Sequence, residues 1–104
     1  MAIDNDLLYR VKTYLRISHS ALDADLADTV NSCLADLQLC GVKTPDPGAP
    51  ADGIAPLILN AIKLFCRKEY TDDPAKSAEY QRRYDSLKSS LMMAEGYREV
   101  PSDE

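Results

Sequence analysis

Few residues in this chain could do chemistry. His19 is the single histidine among 104 residues, and it lies in Ile17-Ser18-His19-Ser20, a serine-rich break between two apolar-periodic stretches. A nucleophilic site needs a Cys or Ser held beside a base, whereas this setting makes His19 a surface turn residue. Cys33 and Cys40 are seven residues apart and so share a helical face. Structural zinc sites use closer Cys pairs and more ligands than this sequence supplies, so Cys33, Cys40 and Cys66 read as small core hydrophobes. Asp23, Asp25 and Asp28 resemble an acidic metal cluster. However, residues two apart diverge on a helix, and a calcium loop would need further oxygens, a glycine and a closing Glu. These acids instead suit the positive end of a helix dipole. The four glycines mark turns and form no phosphate-cradling loop. The chain reads as a non-enzyme with no catalytic, cofactor-binding or metal-ligating residues.

The elements that position these residues are all helical. Asp4, Asn5 and Asp6 are good N-caps, and Leu7, Leu8, Val11, Tyr14 and Leu15 then form one apolar stripe. A second helix starts near Leu22 or Asp23, carries Leu22, Leu26, Val30, Cys33, Leu34 and Leu37 on one face, and closes at Gly41. Residues 43–53, KTPDPGAPADG, hold three prolines and two glycines, too many restricted φ angles and missing donors for regular structure. This long Pro/Gly loop is either a contact element or a simple connector. A third helix, to about Tyr70 from a start between Asp52 and Pro56, carries Leu57, Ile58, Leu59, Ala61, Ile62, Leu64, Phe65 and Cys66 most of the way round. Such a helix is central to a bundle or covered by a second subunit. Asp73 as N-cap and Pro74 at the first position open a fourth helix over 74–94. Its Tyr80, Tyr84, Leu87 and Leu91 form a narrow seam, an internal core contact or a subunit contact, while Arg82, Arg83, Asp85 and Lys88 face away. The expected fold is all-α, a small four-helix bundle over residues 1–96, followed by a flexible C-terminal tail over 97–104.

Length and composition agree with a single soluble domain: 45% hydrophobic, 28% charged, and no apolar run long enough to cross a membrane. The opening residues are acidic, unlike a secretory signal, and the odd cysteine count suits a reducing cytosol. Net charge is −5, which argues against tight binding to nucleic acid. The charge is uneven. Residues 1–53 carry four basic against eight acidic groups, net −4; residues 54–94 carry seven against five, net +2; residues 95–104 carry one against four, net −3. Head-to-tail packing of acidic on basic faces would use that asymmetry, and a mixed solvated surface would explain it equally well. Leu59, Arg67, Lys68, Arg82 and Arg83 are the candidate subunit interface, and Pro45, Pro47, Pro50, Tyr97 and Val100, in the two segments expected to lack a core of their own, are the candidate partner contacts.

The order of features resembles the tailed-phage head-to-tail connector family. It is carried by DLLYRVKTYLRI over 6–17, HSALDADLADTVNSCLADL over 19–37, PLILNAIKLFCRKEY over 56–70 and YDSLKSSL over 84–91. Lys12, Leu15, Arg16 and Ile17, followed by Asp23 and Asp25, reproduce the family's K-x-x-L-R-I/V and acidic run, while Arg67-Lys68 depart from its more apolar helix end. The resemblance implies a structural virion (head-tail interface) protein, made in the bacterial host cytoplasm. It implies a ring homo-oligomer added to the portal protein after DNA packaging and offered to a tail-side connector or stopper protein, with DNA passing through the channel without specific binding. The competing readings are a generic cytosolic helical interaction module or small regulator and, more remotely, a DNA-binding regulator, for which the acidic second helix is a poor recognition helix.

Overall fold

A computed structural model describes residues 3–46, 48 and 51–97. The described residues form four helices, α1 (Asn5–Leu15), α2 (Asp23–Leu39), α3 (Pro56–Tyr70) and α4 (Pro74–Met93), with 3-10 turns at Ala51–Gly53 and Glu95–Tyr97. The fold is all-α, as expected.

Local chemistry sets the helix ends. The Asp4 carboxylate accepts the backbone N–H groups of Asp6 (3.0 Å) and Leu7 (3.2 Å), and Asp73 does the same for Ala75 and Lys76 ahead of Pro74. Each cap satisfies donors that have no partner inside the helix. At the end of α2, Gly41 adopts φ +84°, the left-handed conformation that glycine takes at little steric cost. The end of α1 has the same need without the same residue: Arg16 sits at φ +61° while its N–H meets the Lys12 and Thr13 carbonyls. A left-handed conformation costs a non-glycine residue about 1 kcal/mol or more. Arg16→Gly is therefore expected to raise stability by about 1 kcal/mol, read as a higher urea midpoint at unchanged m-value.

α3 is the central helix and packs against α1, α2 and α4. Ile58, Ala61, Ile62 and Cys66 are buried, and Leu59, Leu64 and Phe65 lie half-buried against the same core. Its broad apolar surface is covered within the protomer, apart from Leu57 at 41% exposure. The seam on α4 is likewise internal: Tyr84 and Leu91 are buried, and Tyr80 and Leu87 half-buried. Cys33 on α2 reaches the Ala61 carbonyl and Tyr70 reaches Asp25, so α2 and α3 run antiparallel. The short turn at 71–73 makes α4 antiparallel to α3, leaving α2 and α4 parallel neighbours with Asp36 facing Tyr84 and Lys88.

Two expectations are corrected. The loop is anchored at both ends, by Val42 (0% exposed) just before it and by Ala51 (2%) and Ile54 (6%) at its close. Tyr97 packs against the core, and its carbonyl accepts the Lys43 N–H at 2.6 Å. An isolated Tyr after a glycine has no periodicity to reveal that contact. Among the described residues, no helix is long and apolar enough to cross a membrane.

Candidate functional site

The most concentrated polar cluster joins α2 to α4. The Tyr84 ring is 1% exposed and meets Phe65 edge-to-face at 5.3 Å between centroids. Its hydroxyl donates to Asp36 Oδ2 at 2.7 Å, Lys88 Nζ donates to the same oxygen at 3.0 Å, and Cys33 Sγ lies 3.9 Å from the hydroxyl. Burial pushes the Asp36 carboxyl up, but the bonds from Tyr84 and Lys88 outweigh it and hold the group below its ordinary value. Burial, with the adjoining Cys33 and Asp36, pushes the Tyr84 hydroxyl far up. A tyrosine works as an acid or base when neighbouring cations lower its pKa. This one stays protonated, and the cluster is a clamp between helices. Lys88, expected to face away, instead folds back onto α2 because its long stem reaches the Asp36 carboxylate beside Tyr84.

Cys33 and Cys66 are inert for the same reason. Burial raises the Cys33 thiol to about 12 and drives the Cys66 thiol up as well; Cys40 is half-buried rather than in the core. The thiolate is the reactive species, so titration with a thiol reagent at pH 8 is expected to count one thiol, Cys40, in the folded protein and three in denaturant.

A second cluster ties α1, α3 and α4 together. The Arg67 guanidinium lies 5.2 Å from the centroids of both Tyr14 and Tyr80, and its Nη1 donates to the Tyr14 carbonyl at 3.4 Å. Lys68 Nζ sits 4.1 Å over the Phe65 ring and 2.7 Å from Glu69. Arg67 and Lys68, two of the four expected interface cations, thus have partners inside the protomer. Leu59 is half-buried against the core, whereas Arg82 and Arg83 are exposed and paired with Glu79 on their own helix. Pro45 lines a cleft of about 670 Å³ with Asp28, Gln38 and Asp46, and a smaller one of about 210 Å³ with Tyr97. Pro47, Pro50 and Val100 lie outside the described residues.

The acids of α2 do separate work. Asp23 pairs with Lys12 at 2.8 Å, Asp25 accepts from Tyr70, and Asp28 faces solvent. Among the described residues, no group of three potential metal ligands gathers. His19 is exposed, and its Nδ1 accepts the Ala21 N–H at 3.3 Å within its turn.

What the geometry offers is therefore surface: a helical body clamped from within, with charge spread unevenly along the chain. Comparison with protein families matches residues 7–98, most of the chain, to the phage connector proteins. The chain belongs to that family. No curated protein and no solved structure matches it. The matched span runs from the first buried residue of α1, Leu7, through all four helices of the connector and past the Tyr97 contact. The family is a structural one, in keeping with clamps that serve to hold helices together.

Proposed function

We propose that this connector is a structural component of the virion that joins head to tail, assembling as a ring on the portal protein after DNA packaging and receiving a tail-side connector or stopper protein. The observation that carries the reading is the family match over residues 7–98. The protomer supports it. Its core is closed by internal clamps, so its interactions fall to surface loops and charged faces, and its net charge of −5 leaves few cations to hold DNA passing through a channel. Ring formation needs a heterologous interface that closes, and the unequal charge of the two halves of the chain supplies unlike faces. Synthesis in the bacterial host cytoplasm follows from the same reading.

The test is co-sedimentation of the purified protein with tail-less, DNA-filled heads bearing the portal of the same phage, followed by negative-stain imaging of the vertex. Added density at the vertex is expected; a folded protein left wholly in the supernatant would overturn the reading. Pro45, Pro47 and Pro50 of the loop and the segment around Val100 are the proposed contacts with the neighbouring components. A chain ending at Tyr97 keeps the bond to Lys43 and is expected to remain folded by circular dichroism while binding the vertex more weakly. Unchanged co-sedimentation would remove the tail from the interface.

A further inference from the structure

We propose that copies of this connector dock on one another through two unlike clefts, the groove between α1 and α3 of one copy receiving the outward face of α2 of the next. This deepens the ring reading above and rests on it for its biological setting.

The groove is about 360 Å³ and is lined by Tyr9, Arg10, Thr13, Tyr14 and Lys63. Tyr9 is 68% exposed, a large aromatic left uncovered beside two cations. Lys63 Nζ rests 5.7 Å over the Tyr14 ring and has no carboxylate partner among the described residues. Tyrosine and arginine side chains around a concave surface are the composition of an interface centre. The occupant that fits is acidic.

The protein supplies that occupant itself. α2 carries four aspartates and no lysine or arginine. Asp23 and Asp36 are ion-paired with Lys12 and Lys88, and Asp25 accepts a hydrogen bond from Tyr70. Asp28 alone of the four has neither an ion pair nor a side-chain hydrogen bond among the described residues, and it lines the 670 Å³ cleft with Asp46 and Pro45. One unpaired cation in an aromatic groove and one unpaired acid in an acidic cleft are complementary.

They cannot satisfy each other within one copy. Ala61 of α3 is the residue whose carbonyl meets Cys33 of α2. Lys63, two residues further on, is turned by about 200° and so points away from α2. Asp28, five residues before Cys33, is turned by about 140° from the side of α2 that meets α3. The two clefts thus look out from opposite sides of the α2–α3 pair, and contact between them is heterologous, the kind that propagates from copy to copy and closes into rings. Two interfaces of about 800 Å² per face also leave most of the 6381 Å² protomer surface for the neighbours above and below.

The experiment is sedimentation of the full chain over a wide concentration range, with carbodiimide cross-linking of a mixture of ¹⁴N- and ¹⁵N-labelled copies. The reagent joins a carboxylate to an amine in direct contact. Mixed-isotope links from Lys63 to Asp28 or Asp46 are expected. Lys63→Glu and Asp28→Lys, each folded by circular dichroism, are expected to weaken self-association about tenfold, and an equimolar mixture of the two to recover most of it. A monomer at the highest concentration, intermolecular links confined to other surfaces, or single variants that associate like the parent would each overturn the proposal. The head-binding assay separates the two readings. A Lys63→Glu protein that decorates vertices normally would sink this interface and leave the connector role standing. Self-association through these clefts with no vertex binding would do the reverse.

Discussion

Tyr84→Ala is expected to cost about 3–5 kcal/mol, enough to leave much of the population unfolded at 37 °C in a chain of this size, where total stability is about 5–15 kcal/mol. The substitution empties the space where α2, α3 and α4 meet. It removes the edge-to-face contact with Phe65 and leaves Cys33 beside a cavity. It also strips from Asp36 one of its two donors. Tyr84→Phe separates these contributions. The ring stays, only the hydroxyl is lost, and Lys88 still serves Asp36, so the cost should fall to about 1 kcal/mol. Urea unfolding followed by helical circular dichroism reads both. A Tyr84→Ala protein as stable as the Phe variant would mean that the ring is not the centre of the core.

Removing the acid from the clamp gives the second large effect, and it depends on pH. Asp36→Asn leaves the half-buried Lys88 ammonium without its counter-charge and weakens the Tyr84 bond, at a cost of about 1–2 kcal/mol near pH 7 once partial exposure of the pair is allowed for. In the parent the Asp36 carboxyl is held below its ordinary value of 3.8 and Lys88 is held above its ordinary 10.5. A lowered carboxyl contributes stability that is present above the unfolded value and lost as pH falls through the folded one. A raised lysine contributes stability that is present below 10.5 and lost as pH climbs past its folded value. The clamp is therefore at full strength between these limits. The parent should lose part of its stability as pH drops below about 4, and the Asn variant should lack that part of the decline. Parallel acid profiles for the two proteins would show that Asp36 does not contribute through its charge.

Much of this architecture was legible because its signals are local. Asp4, Gly41 and the Asp73-Pro74 pair act on donors and dihedral angles within a turn of themselves, so α3 begins at Pro56 within its expected window and ends at Tyr70, and α4 runs from Pro74. Apolar periodicity likewise picked out the faces that are buried, from Leu7 and Val11 to Tyr84 and Leu91. The order of the helical patterns carries the resemblance to the connector family. Arg16 was the exception at a helix end, because an arginine at a position that favours glycine gives no sign of its left-handed backbone.

The sequence by itself therefore determined the class of fold, the ends of the helices and the family, since each is written in short-range spacing or in the order of short-range patterns. Only the tertiary structure decided what the long side chains do. Arg67 meets Tyr14, Lys88 meets Asp36, and Tyr97 returns to Lys43, pairings separated by about half the chain, and Arg67 also meets Tyr80 across the α3–α4 turn. Helical spacing tells which way a Cβ points, but not which helix stands beside it. A flexible cation adopts whatever carboxylate or ring the packing brings within reach, and that is settled when the helices assemble.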